Sequence, residues 1–181
     1  LYCVVSNGII SNNRAYSNNT TGVITDNIDG DGIQLGRAGG TEAGFWDNVE
    51  DFKTTVVLDN NKCYDNGRRG IKDQRGNTKV INNHCYGNYK NIEISEDASI
   101  SNFHYEGNTM GLLGVVIPTN HFNVIVDPAP AIASNLTFVN NIMIGDVTLG
   151  DAVRVVSLHD STFSNNSYEG TILDGAYSTY G

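Results

Sequence analysis

Basic residues are scarce in this chain: eleven Lys and Arg stand against twenty Asp and Glu, a formal net charge of −9. A nucleic-acid partner needs a basic patch to neutralise phosphates, so this balance argues against one. Long hydrophobic runs are missing too, and none approaches the ~20 residues of a membrane span. The i, i+3, i+4, i+7 pattern of an amphipathic helix is interrupted by Gly or Asn in nearly every window. Proline is limited to Pro118, Pro128 and Pro130, so most of the chain keeps the amide hydrogens that a β-ladder needs. Cysteine is odd in number at three, and no CxxC or HxxxH spacing supports a zinc site. No leader peptide is read, because the chain begins LYCVVSNG without Met, like a processed product or a piece of something longer.

What remains is a turn-rich composition with twenty Gly, abundant Asn and few charges, which suits an all-β chain. At 181 residues one domain is expected. Its organising stretch runs from Val56 to Asn88, where Asn60-Asn61, Cys63, Tyr64 and Asn66 are answered by Asn82-Asn83, Cys85, Tyr86 and Asn88. A period near twenty residues with this content marks a solenoid. Each coil reads as short strands joined by turns, stacked so that strands become parallel sheets. Two positions after the Asn pair, Ala15, Cys63, Cys85 and Met143 form an inward row, with His104 in a shortened copy. Two positions before it, Ile10, Leu58, Val80, Ile100, Phe138 and Phe163 form another. The Asn pairs belong in tight turns, where Asn tolerates the left-handed region and its amide can bond along the stack. The same chemistry explains the sequons at Asn18, Asn19, Asn135 and Asn165 better than glycosylation does. Tyr16, Tyr64, Tyr86 and Tyr105 are read as one aromatic stack. Cys63 and Cys85 fall at the inter-strand spacing of about 4.8 Å. In-register side chains give a poor disulfide dihedral, so reduced thiols in a core row are favoured over a bridge or metal site.

The period breaks twice. Residues 37–54 hold the only Trp, Trp46, among acidic side chains, and residues 118–135 hold all three prolines. Long loops inserted in a regular stack usually carry function. Ser99–Tyr105 reads as a one-residue-shorter copy of the Asn-turn strand. The expected architecture is a single-stranded right-handed parallel β-helix over 1–181, of roughly eight coils and about 40 Å at the strand spacing. Its ends would need covering by neighbouring sequence or by a mate in a homotrimer.

The NNxxYxN…GI unit resembles the repeat of right-handed parallel β-helix proteins of the pectin-lyase-like superfamily. That group includes polysaccharide lyases, galacturonan hydrolases, mannuronan epimerases and phage tailspike depolymerases. Asn27–Ile33, NIDGDGI, is similar to the Asp-bearing turn of the hydrolases, but their Gly-His-Gly is nowhere in the chain. Gly70-Ile71-Lys72 loosely echoes their Arg-Ile-Lys, and the Asp-Pro-His-Asp of the epimerases is missing. The Asn-rich coils and interrupting loops look most like a tailspike or related depolymerase segment. The resemblance implies an extracellular or virion-surface protein that binds, and by hydrolysis or elimination cuts, a surface or cell-wall polysaccharide. Fold does not imply function, so a non-catalytic structural or adhesive shaft and a uronate epimerase stay open beside it.

Three constellations can carry the chemistry. Arg68, Arg69, Lys72 and Arg75 put four cations within eight positions. They either bind the carboxylates of an anionic glycan or are turn residues paired with Asp65 and Asp73. Gln34, Lys72 and Glu93 each follow an inward Ile, so alternation turns all three outward on one sheet. Lys72 and Glu93 there are an acid/base pair or an exposed ion pair of little consequence. Asp26, Asp29 and Asp31 are the acid and base of glycoside hydrolysis, calcium ligands, or a turn sequence. Catalysis is thus expected from Asp29, Asp31, Lys72 and Glu93, and substrate binding from Trp46, Arg68, Arg69, Arg75 and His84. Lys62 shares the outward row of His84, while His104 is placed in the core. No cofactor other than calcium is indicated.

Overall fold

A computed structural model of the chain describes residues 1–3, 7–18, 30–36, 55–94, 100–111, 121–126, 133–144, 150–155, 158–159, 161–169 and 172–174. Among them there is no helix, and twenty strands pass in rotation through three sheets, with one pass through the second sheet split into two short strands. The first sheet stacks Tyr2–Cys3, Ile33–Leu35, Arg69–Asp73, Lys90–Ile94, His121–Val126, Gly150–Val155 and Ile172–Asp174. The second stacks Gly8–Ser11, Val56–Asp59, Thr78–Ile81, Ile100–Glu106, Ala133–Val139 and the pair Leu158–His159 and Thr162–Ser164. The third stacks Arg14–Tyr16, Lys62–Tyr64, His84–Tyr86, Thr109–Met110, Ile142–Ile144 and Ser167–Glu169. Every pairing is parallel, for example Cys63 on Cys85 and Ile71 on Ile92. The fold is a three-sheet parallel β-helix. Six passes are complete among the described residues and a seventh opens; about eight were expected, but most passes carry insertions beyond the short period.

The two halves of each Asn pair do different work. The first takes a left-handed backbone at Asn12, Asn60, Asn82, Asn140 and Asn165 (φ 53° to 60°), turning the chain from the second sheet to the third. The second points inward and bonds its counterpart one coil on. Asn13, Asn61, Asn83, Asn108, Asn141 and Asn166 form an amide ladder with Nδ2–Oδ1 distances of 2.9 to 3.1 Å. Asn18, Asn66, Asn88 and Asn91 form a shorter ladder at another corner. Such ladders satisfy buried amides in the direction of stacking, where an unpaired group would cost about 1–3 kcal/mol. Glycine opens the strands of the first sheet for a steric reason. A Cβ at Gly70 would stand 2.7 Å from the Asn91 carbonyl oxygen and 2.8 Å from Asn88 Nδ2, and Gly32 meets Gly70 and Asn66 in the same way.

The core is a set of straight rows. Ala15, Cys63, Cys85, Met110 and Met143 form one. Ile10, Leu58, Val80, Tyr105, Phe138 and Phe163 form another, its three aromatic rings 5.4 to 5.7 Å apart. Both cysteines described with side chains are buried and free. Cys63 as a hydrogen-bonding neighbour, together with burial, pushes the Cys85 thiol well above its ordinary pKa.

These rows correct the expected register of one coil. Tyr105 belongs not to the outward Tyr row but to the inward row in place of Ile100, which pairs instead with Ala133. His104 is not in the core; it lies between Lys79 and Thr137 with its side chain 35% exposed. The reason is that Asn102 is not the Asn of that turn. Gly107 (φ 63°) and Asn108 make the turn, and Asn102 (φ 64°) marks a different corner, in line with Asn77 and Asn135. The excursion placed over 118–135 also contains regular structure: His121–Val126 is a strand of the first sheet and Ala133 opens one of the second. Its three prolines, and the loop over 37–54, lie outside the described residues.

Candidate functional site

The outward row expected on the first sheet is present in register. Gln34 pairs with Lys72 and Lys72 with Glu93. Glu93, however, is buried, and its carboxylate turns to other cations than Lys72. Lys90 Nζ donates to Oε1 at 2.9 Å, and Arg69 Nε faces Oε2. Arg69 Nη1 also reaches Asp31 Oδ1 at 3.3 Å. Asp31, Arg69, Glu93 and Lys90 thus form one chain of alternating charge, each side chain no more than 10% exposed. The backbone explains why these groups meet. Gly70, pressed toward Cys85, turns inward beside inward Ile71, so Arg69 and its register partner Lys90 are left together at the strand start. A buried ion pair adds little net stability over an apolar pair of the same shape but fixes geometry, because breaking it strands a charge. Chemically the arrangement holds two carboxylates on either side of one guanidinium. Lys90 was not anticipated, although its i, i+3 spacing to Glu93 and its equivalence with Arg69 were readable.

The cationic run is divided by the fold. Arg69 and Arg75 are buried, whereas Arg68 and Lys72 are half-buried. Arg75 Nη1 donates to the carbonyl oxygens of Gly76 and Asn77 at 3.3 and 3.1 Å. Burial pulls the Arg75 pKa down, and the neighbouring Asp73 charge partly restores it. Asp73 is fully buried and accepts four hydrogen bonds, from Thr78 Oγ1 (2.6 Å), the Tyr105 hydroxyl (2.9 Å), Arg75 N (3.0 Å) and Gly76 N (3.4 Å). Desolvation raises its pKa in spite of these donors, and the phenol of Tyr105 is pushed well upward by its own burial and by Asp73. Asp73 therefore clasps the corner between the first two sheets.

The third sheet presents the open face. Arg14, Lys62 and His84 stand in register on successive coils, all exposed. Beside them Tyr16, Tyr64 and Tyr86 stack with centroids 5.0 and 5.1 Å apart and planes within 5°. Tyr16 and Tyr86 are 54% and 40% exposed. The stack ends at Tyr86 because the next coil carries Gly111. Exposed Ile142 and Ile144 continue the face on the coil after that. His84 was expected here with Lys62; Arg14, one residue after its own Asn pair, completes the row by the same offset.

Asp29, with Asp26, and Trp46 lie outside the described residues. Among those residues no cluster of three or more His, Cys, Asp or Glu is placed to hold a metal ion. Likewise no helix among them is long and apolar enough to cross a membrane. Architecture and register define the class of protein: a parallel β-solenoid with one closed charge network and one open cationic–aromatic face. No family model, curated protein or solved structure matches the chain.

Proposed function

We propose that this β-solenoid binds an acidic polysaccharide laid along its coil axis. The observation that carries the reading is the third sheet, where Arg14, Lys62 and His84 repeat in register beside Tyr16, Tyr64 and Tyr86. A polymer with regularly spaced carboxylates meets the cations Arg14 and Lys62 and the imidazole of His84 in one row, and phenol hydroxyls and ring edges supply the amphipathic contacts that sugars use. In an acidic protein such a row is a local feature. The pectin-lyase-like and tailspike resemblance supports the same ligand class and adds depolymerisation, for which Asp31, Lys72 and Glu93 on the first sheet are the groups to examine.

A second reading, a structural or adhesive shaft, draws on a separate observation. Arg69, Glu93, Lys90 and Asp31 satisfy one another, as groups that serve only rigidity would.

Titration with polygalacturonate, alginate and a neutral glucan, together with product analysis, separates these readings. The expected result is binding of the acidic polymers alone, weakened roughly three- to tenfold in a Lys62→Ala/His84→Ala double variant. Equal binding by that variant, or none by the native chain, overturns the proposal in favour of the shaft. New reducing ends without unsaturation would mark a hydrolase acting through carboxylates such as Asp31. Unsaturated ends would mark a lyase and direct attention to Lys72, and inverted uronates in polymers of unchanged length would mark an epimerase.

A further inference from the structure

A cleft of about 210 Å³ opens on the outer side of the second sheet, away from both faces described above. One wall is the row Asn77, Asn102 and Asn135, whose left-handed backbones (φ 50°, 64° and 54°) bend the coils at that corner. The other is the outward row Lys79, His104 and Thr137, held in register by the sheet. The Asn amides are already ordered, since Asn102 Nδ2 donates to Asn77 Oδ1 at 2.8 Å and Asn135 Nδ2 to Asn102 Oδ1 at 2.7 Å. Each of these two donations uses one of the two hydrogens of an NH2 group, so Asn102 and Asn135 retain a second donor at successive coil heights. Lys79 is exposed. Among the described residues it has no carboxylate within ion-pair distance, whereas His104 Nε2 already stands 2.9 Å from Glu106 Oε2.

We propose that this cleft is a second saccharide subsite, one that takes a single carboxylate-bearing pyranose. The pre-ordered Asn amides and the Thr137 hydroxyl match the repeated hydroxyls of a sugar ring, and Lys79 takes the carboxylate. Ordering by the ladder matters because donors held in place before binding lose little freedom on binding. The charge balance favours an anion. Glu106 does not line the cleft and already stands against His104, which leaves Lys79 as the charged side chain that faces a ligand there. Phe103, buried behind the Asn row, keeps the floor rigid. The subsite is independent of the third-sheet reading, and either can fail without the other.

The test is a ligand-observed NMR titration with digalacturonate, galactose 6-sulfate and cellobiose. The native chain is expected to bind digalacturonate saturably and at least tenfold more tightly than the other two. Lys79→Gln should abolish that preference, whereas Asn135→Gly, which removes a hydroxyl-binding amide while tolerating the left-handed backbone, should weaken digalacturonate binding itself. Both variants should unfold at the native temperature, and both are read in the Lys62→Ala/His84→Ala background, where the third sheet contributes least. Unaltered binding in Lys79→Gln, equal binding of cellobiose or of the sulfated sugar, or no digalacturonate binding left in the Lys62→Ala/His84→Ala background would each overturn the proposal.

Discussion

Within a single Asn pair, two chemically identical side chains carry different physics. Asn83 Nδ2 donates to the Leu58 and Ile81 carbonyls and to Asn108, while its Oδ1 accepts from the backbone and amide of Asn61. Asn83→Ala strands buried donors and acceptors on two coils and should cost roughly 2–4 kcal/mol, read from the denaturant midpoint. Asn82, exposed at φ 55°, contributes mainly its tolerance of that backbone, so Asn82→Gly should stay within about 0.5 kcal/mol. Asp73 gives a test in pH. Its folded-state pKa is raised by burial, so the folded protein holds that proton more tightly than the unfolded chain does. This contribution is fully present below the ordinary carboxylate value of 3.8. It is lost as pH rises through the raised value. Asp73→Asn should remove that slope just above the ordinary carboxylate range, measured as unfolding free energy against pH beside the native chain.

Among the strands, glycine separates two kinds of place that look alike in sequence. Gly70 sits where the next coil's carbonyl occupies the space a Cβ would need. Gly70→Ala should therefore destabilise by about 1–3 kcal/mol through overpacking. Gly111 sits at the end of the tyrosine stack, and a Cβ there would meet only Tyr86 Cβ, at an ordinary 3.7 Å. Gly111→Tyr should extend the stack by one ring and raise the melting temperature, with the added ring shielding Tyr86. A lower melting temperature in Gly111→Tyr would show that the stack cannot be propagated. The sheet register was legible from the 22-residue offset in the central repeats: Lys62 with His84, Cys63 with Cys85, and Tyr64 with Tyr86 all pair as that offset requires. The coil over Ile100–Met110 was not, because a lone Asn marks either of two left-handed corners and composition does not say which. Gly107 in the usual Asn position hid the true turn.

Across the whole molecule, repetition explains both what could be read and what could not. A parallel stack makes residues one period apart neighbours, so in the regular coils the rows and the Asn ladder followed from the amino-acid sequence alone. That reading includes the Gln34, Lys72 and Glu93 row and the Lys62 and His84 pair. Which neighbour a side chain chooses is a different matter. Glu93 adjoins Lys72 along its row yet bonds Arg69 and Lys90, because an inward-turned Gly70 rearranges the start of the strand. Arg69 and Arg75, two members of an apparent cationic edge, are buried. The sequence by itself determined the solenoid, since periodic backbone pairing is a local property copied from coil to coil. Only the tertiary structure decided which charges are consumed internally and which stay open to a ligand, since burial and ion pairing depend on bends and contacts that do not repeat.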